Sequence, residues 1–339
     1  MTANEEPVSV SLENLRQGVD NETLTKAFGP TSLGIIVVRD LPPEFQSLRQ
    51  KVLTSASVLA NLDAKELEAL ECEEAMWLVG WSRGRETLAK SSLPDLKKGS
   101  FYMNCAFYKD PKLEGPEPEL VDKYPDHKTY TAPNIWPSSS DLKDFERDCK
   151  ALCSLIISVA ETVAIACDKY IKSIHEEYEE YYLHKLVQNS TCTKARLLHY
   201  FPMTEEDACD SLDDWCGEHL DHSCLTGLTS ALFIDESKGS THALDASPDP
   251  KAGLYIRNRN DEIVKVNIPS DCLAFQSGSA LQEISKGKFK AVPHYVRGTD
   301  KPNIARNTLA VFCQPNLDDM INDEEDFAKY SDRILKANH

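Results

Sequence analysis

The chain has 339 residues, a formal net charge of −18, a hydrophobic fraction of 41% and a charged fraction of 27%. These values are typical of a soluble globular protein with a large core, so we expect one enzyme-sized unit. The excess of acidic residues argues against nucleic acid or an anionic membrane surface as the main partner. No stretch approaches the roughly 18 uninterrupted apolar residues that a membrane span needs.

The first residues, 1–6, have neither the basic start nor the apolar run of a secretory signal, and they are acidic. We therefore expect a cytoplasmic location. The 11 cysteines include no Cys-x-x-Cys pair, and an odd number in a chain of this length predicts reduced thiols. Taken together, these features favour a cytoplasmic monomer that acts on a small-molecule substrate, without nucleic-acid or membrane partners.

The first half of the chain has mainly helical periodicity. Helices are predicted over 22–28 and 44–62, on either side of an apolar strand at 34–38. The longest helix is predicted to begin at Ser138, because Ser138 and Asp141 have capping-box spacing. Its buried stripe is predicted to consist of Leu142, Phe145, Cys149, Leu152, Ile156, Val159 and Val163. The hydrophilic connector 110–133 is predicted to be a surface loop.

From residue 194 onward the pattern changes to short strands separated by turns. The predicted strands are 196–201, 229–235, 254–257, 263–266, 272–276, 291–296 and 307–313, and a final helix is predicted over 324–337. Many short strands at this spacing are typical of a β-sandwich or jelly roll.

One group of residues in this half has the character of a metal site. Residues two apart on a strand project to the same face, so His219 and Asp221 are predicted to reach one ion, and His294 on a later strand completes the set. Two histidines and one carboxylate form the facial triad of non-haem Fe(II) sites, which leaves positions open for oxidant and co-substrate. His222 should face away from the ion, so we assign it no ligand role.

A second pair of residues follows the distal histidine. The rigid guanidinium fork of Arg306 matches a carboxylate, and the hydroxyl of Thr308, two residues on, adds a hydrogen bond from the same strand face. Alone, His-x-Asp or Arg306 is more often an ordinary surface feature. Their order along the chain favours a metal centre beside an anchor for a dicarboxylic acid.

The motifs of segment 194–315 resemble the catalytic core of the isopenicillin N synthase-like 2-oxoglutarate- and Fe(II)-dependent dioxygenases. The matching pieces are 197–202, 219–226, 253–256, 268–271, 276–282, 287–296 and 306–308, with weaker similarity at 80–86, 95–101 and 134–137. The resemblance implies an α+β fold with a mainly β core, a double-stranded β-helix (jelly roll) flanked by N-terminal helices and a long central helix. We place an N-terminal region at 1–137, a helical support at 138–190, the core at 191–318 and a C-terminal helix at 319–339.

The same resemblance implies an activity. Fe(II) is expected on His219, Asp221 and His294, and 2-oxoglutarate on Arg306 and Thr308, with dioxygen as the other co-substrate and ascorbate as a candidate reductant. The reaction is expected to release succinate and carbon dioxide while a small molecule is hydroxylated, desaturated or cyclised. The protein's part is to hold the ligands and exclude water, whereas the metal supplies the difficult chemistry.

Some positions are specific to this chain. Substrate contacts are predicted at Tyr102, Phe289 and Arg297. Phe201 stands where the family commonly has a tyrosine whose phenol helps to hold 2-oxoglutarate. The segment 236–252 resembles an insertion and is predicted to be a mobile polar loop that influences what reaches the iron.

Three other functions remain open. The first is an oxidase of the same fold that does not consume 2-oxoglutarate, and the second is a catalytically silent binding protein on this scaffold. The intact set of His219, Asp221 and His294 argues against a silent protein. The third, a zinc hydrolase, is disfavoured because no general base is evident beside His219.

Overall fold

The structure is a computed structural model that describes residues 6–86, 94–203, 216–299 and 301–337. The helices are α1 (Leu12–Gln17), α2 (Asn21–Phe28), α3 (Glu44–Ala60), α4 (Ala64–Glu68), α5 (Pro118–Lys123), α6 (Lys128–Thr131), α7 (Phe145–Ile174), α8 (Tyr182–Asn189), α9 (Ser279–Ile284) and α10 (Phe327–Ala337). The strands are β1 (Val8–Ser11), β2 (Ile35–Arg39), β3 (Gly80–Arg83), β4 (Lys98–Asn104), β5 (Lys194–Tyr200), β6 (Cys216–His219), β7 (Leu225–Thr229), β8 (Leu232–Asp235), β9 (Gly253–Arg257), β10 (Ile263–Val266), β11 (Leu273–Ser277), β12 (His294–Arg297) and β13 (Ile304–Cys313).

These strands form two sheets. The larger has the order β1-β2-β11-β7-β13-β5-β4-β3, with β8 also paired to β13, and the smaller has the order β10-β9-β12-β6. The pair β1–β2 is parallel, whereas β2–β11 and β4–β5 are antiparallel. Strands β1 to β4, from the predicted N-terminal region, therefore belong to the same sheet as strands from the second half of the chain.

Apolar residues fill both faces of the larger sheet. On one face, helices α3 and α7 pack against β13, β5 and β7, and their side chains form the largest core cluster. On the other face, a second cluster joins residues of β2, β5 and β11 to residues of β9, β10 and β12 in the smaller sheet. The smaller sheet therefore covers one face of the larger one, and its strands bring polar residues to the space between the two sheets.

Helix α7 is the central support. Its predicted stripe is confirmed, since all seven positions from Leu142 to Val163 are buried. The helix begins at Phe145, however, and not at Ser138, because the preceding residues form a 3-10 turn at Ser140–Leu142 and Asp144 makes no side-chain cap. By length and composition this helix is apolar enough to cross a membrane, but 61% of its most apolar window is buried inside the protein. Its apolar surface is that of a core helix.

The close approach of α7 to the sheet depends on one glycine. A Cβ atom at Gly227 on β7 would lie 2.5 Å from Cγ2 of Ile156 and 3.1 Å from the ring of Phe275. No side chain fits at that distance, so glycine allows the helix backbone to pack tightly on the centre of the sheet.

Most of the predicted elements are present, with shifted bounds. The predicted strand 263–266 matches β10, and the predicted helices 22–28 and 44–62 correspond to α2 and α3. The predicted strand 229–235 is two strands, β7 and β8, separated at Ser230 and Ala231. The predicted loop 110–133 contains the short helices α5 and α6.

Candidate metal centre

Two histidines and an aspartate converge at the edge of the smaller sheet. His219 ends β6 and pairs with His294, which begins β12. Nε2 of His219 lies 3.7 Å from Oδ1 of Asp221, and Nε2 of His294 lies 3.8 Å from the same oxygen. The three ligand atoms lie within 4.8 Å of one another, and no other such group of three occurs among the described residues.

The sequence argument for this convergence was partly wrong. It placed His219 and Asp221 on one continuous strand, but β6 ends at His219 and Asp221 lies in the loop that follows. The position of Asp221 is instead fixed by α9, because the backbone N–H and the hydroxyl of Ser279 both donate to the carbonyl oxygen of Asp221, at 2.8 and 3.0 Å. The turn before α9 needs Gly278, since a Cβ there would lie 2.0 Å from the carbonyl oxygen of Ser223.

Hydrogen bonds set which ring nitrogens face the centre. Nδ1 of His219 lies 2.8 Å from the carbonyl oxygen of Gly217, and Nδ1 of His294 lies 3.4 Å from that of Val292. A carbonyl oxygen only accepts hydrogen bonds, so Nδ1 of each ring carries a proton. Nε2 of each ring then points at Asp221, which is the arrangement that metal-binding histidines need.

Two of the three residues, Asp221 and His294, already have the protonation state that a metal ion needs. Burial raises the pKa of Asp221, but the neighbouring His294 and His219 outweigh it and lower the pKa, so the group is a carboxylate. Burial lowers the pKa of His294 to about 4, which keeps its imidazole neutral. Burial also lowers the pKa of His219, but the negative charges of the Cys216 thiolate and Asp221, with hydrogen bonds to Cys216 and Gly217, raise it to about 9. A metal ion must therefore displace a proton from His219.

Gln276 on β11 supports His294 from behind. Its side-chain amide lies 2.8 Å from Nδ1 of His294, and both side chains are buried. Oε1 of Gln276 has no hydrogen-bond partner among the described residues. If the nitrogen and oxygen of the Gln276 amide are interchanged, the oxygen accepts a hydrogen bond from Nδ1–H of His294. No other hydrogen bond of Gln276 with the described part of the chain is lost by this change. Gln276 lies in the segment 276–282 that resembles the dioxygenases, but no role was predicted for it from the sequence.

An inner cavity of about 360 Å³ lies between the two sheets and includes the three converging residues. Arg306 lines it and is buried, yet its Nε and Nη1 atoms donate to no group in the described part of the chain. Burial lowers the pKa of Arg306, and Tyr200 opposes this shift. A buried cation with unused donors is costly unless an anion joins it, so the cavity is suited to a carboxylate.

Two hydroxyl groups accompany Arg306 in the inner cavity. Thr308, two residues along β13, lines the cavity and donates to the carbonyl oxygen of Thr229 at 3.3 Å. Tyr200 pairs with Arg306 across β5 and β13, and the guanidinium carbon lies 5.2 Å from its ring centre. The Phe201 ring lies under the guanidinium of Arg83 and is not among the residues that line this cavity, whereas Tyr200 brings a phenol to it.

An outer chamber of about 670 Å³ shares His219 and Arg196 with the inner cavity. Of the predicted substrate contacts, Tyr102 lines this chamber. Phe289 does not, because it is fully buried and stacks on Tyr170 with ring centres 5.2 Å apart.

Arg297 lines neither space. It alternates along β12 with the inward-facing His294 and Val296 and lies on the opposite face of the strand. The structure therefore places Phe289 in the core and Arg297 outside both spaces. His222, to which no ligand role was assigned, lines the outer chamber.

The segment 236–252 closes one end of the inner cavity. Asp245, Ser247 and Ala252 contribute to its wall. The segment is held by backbone hydrogen bonds from Asp235 to His242 and from Leu244 to Phe233, at 2.9 and 2.8 Å. These bonds and a bridge between Ile234 and Ala243 join residues 242–244 to β8, so the segment forms a wall of the cavity, and its mobility stays a prediction.

No protein family matches the chain, and no curated protein matches it by sequence. Solved structures do match. A full-length Neurospora crassa protein in complex with alpha-KG has a TM-score of 0.71 and 19% identity, over 98% of each chain. A 2OG-Fe(II) oxygenase family protein from Caulobacter crescentus has a TM-score of 0.70 and 17% identity, over 98% of this chain and 99% of that one. A rice dioxygenase for auxin oxidation (DAO) has a TM-score of 0.62 and 17% identity, over 99% and 96% of the two chains.

These similarities define the class of fold, a large mixed sheet with flanking helices that the 2OG-Fe(II) oxygenases share. They extend over 98% of this chain and so include most of its first half as well as its second half.

Proposed function

We propose that the protein is an Fe(II)- and 2-oxoglutarate-dependent dioxygenase that oxidises a small molecule. The observation that carries this proposal is the convergence of His219, Asp221 and His294 beside the unused donors of the Arg306 guanidinium. The two imidazole Nε2 atoms and one carboxylate form the donor set of a facial Fe(II) triad, and the oriented Nδ1–H groups keep these donors directed at one point. Membership of the isopenicillin N synthase-like branch, and a double-stranded β-helix formed by the two sheets, are part of this proposal.

Each residue has a defined task. His219, Asp221 and His294 hold the metal, while Arg306 and Thr308 bind the distal carboxylate of 2-oxoglutarate with the Tyr200 phenol beside them. Bound iron supplies the oxidising power that couples decarboxylation of 2-oxoglutarate to oxidation of the substrate. The wall formed by 236–252 and the core between the sheets keep water from the buried end of the cavity.

The test is succinate formation. The purified protein is incubated with Fe(II), ascorbate, dioxygen and 2-oxoglutarate, and succinate is measured with and without a library of small molecules. We expect slow succinate release without substrate, faster release with a true substrate, and none after treatment with a chelator or in Asp221→Ala. Absence of succinate under all conditions, from a protein that binds Fe(II), contradicts the proposal.

The same experiment separates the rival functions. Oxidation of a library compound without succinate indicates an oxidase of the same fold that does not consume 2-oxoglutarate. A protein that binds library compounds but neither Fe(II) nor 2-oxoglutarate is a binding protein on this scaffold. The unused donors of Arg306 favour the dioxygenase, because a binding protein or an oxidase without 2-oxoglutarate has no need of a buried anion site.

A further inference from the structure

We propose that the outer chamber binds the molecule to be oxidised and selects a neutral, largely apolar compound over carboxylates and amines. This inference rests on the proposed function, since it assigns the chamber beside His219 to the substrate of that reaction. It concerns a separate space from the 2-oxoglutarate site, because among the described residues only Arg196 and His219 line both spaces.

The mouth of the outer chamber is apolar. Its apolar wall consists of Met76, Trp77, Leu78, Leu220 and Ile334. Met76 is 50% exposed and Leu220 is 39% exposed, so two of the six large apolar side chains that are exposed among the described residues lie here. Exposed apolar groups gathered around a cavity indicate a binding surface for an apolar body.

Trp77 presents no free polar atom to this chamber. Its Nε1–H donates to Oε2 of Glu71 at 2.9 Å, and the guanidinium of Arg85 lies 4.1 Å from the centre of its ring. The backbone here is also unusual, because Met76 and Trp77 have consecutive φ angles of 51° and 55°. Such angles are uncommon in two successive non-glycine residues, and here they hold both side chains at the mouth.

Among the described residues, each arginine and glutamate that lines the outer chamber is already paired. Arg85 lies 2.8 Å from Glu71, Glu86 lies 2.5 Å from Arg196, and Glu218 lies 2.8 Å from Arg257. A charged substrate therefore finds its opposite charges among these described arginines and glutamates already engaged, and it loses hydration with little compensation from them. The inner cavity differs, because Arg306 there has unused donors. The two spaces are thus matched to different ligands, one to an anion and the other to a neutral molecule.

Glu86 gives the chamber one polar recognition point. Its carboxylate accepts from Lys98 at 2.6 Å, from Arg196 at 2.5 Å and from the hydroxyl of Tyr102 at 3.3 Å, while the side chain remains 42% exposed. Three donors hold this carboxylate rigidly, and its exposed part is available to accept a hydrogen bond. A neutral substrate with one N–H or O–H group satisfies this position without adding charge.

The experiment compares three probes that share one apolar body. These are 2-naphthylacetamide, 2-naphthylacetate and 2-(2-naphthyl)ethylamine, which are neutral, anionic and cationic at pH 7.5. Binding to the protein is measured by ligand-observed NMR under anaerobic conditions with Fe(II) and 2-oxoglutarate present. We expect the amide to bind at least about fivefold more tightly than either ion, because an unpaired charge in the chamber is costly.

Two variants locate the binding and test the reason for it. Met76→Asn removes apolar surface, and asparagine tolerates the left-handed backbone at this position. The variant should bind each of the three probes about threefold more weakly than the native protein. The matched control Met320→Asn changes a methionine that is 46% exposed outside the chamber wall and should have no effect. Glu71→Gln keeps an acceptor for Trp77 but unpairs Arg85, so it should strengthen naphthylacetate binding by about two- to fivefold.

The outcomes decide between clear alternatives. Preference for the amide, together with the gain of naphthylacetate binding in Glu71→Gln, supports the proposal. Equal binding of the three probes, preference for an ion, or no binding up to the solubility limit overturns it. Iron content and succinate formation are measured on the same samples, so a protein that binds the probes in the expected order but forms no succinate refutes the proposed function alone.

Discussion

Replacement of Gln276 by leucine tests whether this residue holds the metal site in its binding form. In the native protein the Gln276 amide lies 2.8 Å from Nδ1 of His294, at a position where Gln276 is 1% exposed and water has no access. In Gln276→Leu without metal, His294 can move its proton to Nε2, which faces Asp221 at 3.8 Å. The free protein therefore tolerates the change.

Metal binding removes that alternative. The ion takes Nε2, so the proton must reside on Nδ1, where the remaining acceptor is the carbonyl oxygen of Val292 at 3.4 Å. A buried donor with a poor partner costs about 1–3 kcal/mol, and loss of the group that orients a ligand typically weakens metal binding by about 10- to 100-fold. We expect a loss of this size in Gln276→Leu and little loss in Gln276→Glu, which keeps an acceptor.

The assay is an anaerobic titration with Co(II), whose visible absorption reports its coordination, followed by competition with Fe(II). Circular dichroism melts of both variants without metal verify that the fold is unchanged. If Gln276→Leu binds Co(II) within about threefold of the native protein, then hydrogen bonding by Gln276 does not set the His294 tautomer, and the reasoning fails.

Buried charges give three more predictions. Arg306→Met should weaken 2-oxoglutarate binding at least about 100-fold, because the buried cation is the partner of the distal carboxylate. Calorimetry of the metal-loaded protein measures this affinity, and a near-native value refutes the role of Arg306. Asp168→Ala should lower the free energy of unfolding, measured in urea, by about 3 kcal/mol, because this buried carboxylate accepts hydrogen bonds from Tyr178, Leu183 and His184. A loss below about 1 kcal/mol contradicts this prediction. Burial lowers the pKa of Lys194 to about 8 from 10.5, so the folded protein binds fewer protons than the unfolded chain between those values and its stability should rise with pH there. The stability of the native protein relative to Lys194→Met should increase by about 2 kcal/mol from pH 7.5 to 9.5, and a difference that is constant with pH is the contrary result.

The sequence was sufficient where a local pattern determines the structure. The apolar stripe of α7 was predicted residue by residue, because burial along a helix follows its period. The order of His219, Asp221 and His294 predicted that they meet, and the structure brings them within 4.8 Å. For the α7 stripe the signal is a spacing that the helix geometry converts directly into a position, whereas the three site residues were predicted to meet from their order along the chain.

The failures concern features that depend on tertiary contacts. The strand carrying His219 stops at that residue, and Asp221 is positioned by Ser279, which lies far along the sequence. Tyr200 could have been identified from alternation, since it shares a face of β5 with Arg196 and pairs with Arg306. Phe289 had no such signal, because an aromatic residue near a site motif has the same local sequence whether it faces the cavity or the core.

The pairing of β2 with β11 has a consequence for synthesis of the chain. The apolar strand Ile35–Arg39 pairs on one side with β1, but its other edge is covered only by Leu273–Ser277, which is made much later. On the ribosome this edge stays open while most of the chain is made, and it is then a template for pairing with other chains. Because β11 also carries Gln276, its pairing with β2 both covers the open edge and brings Gln276 to its position behind His294.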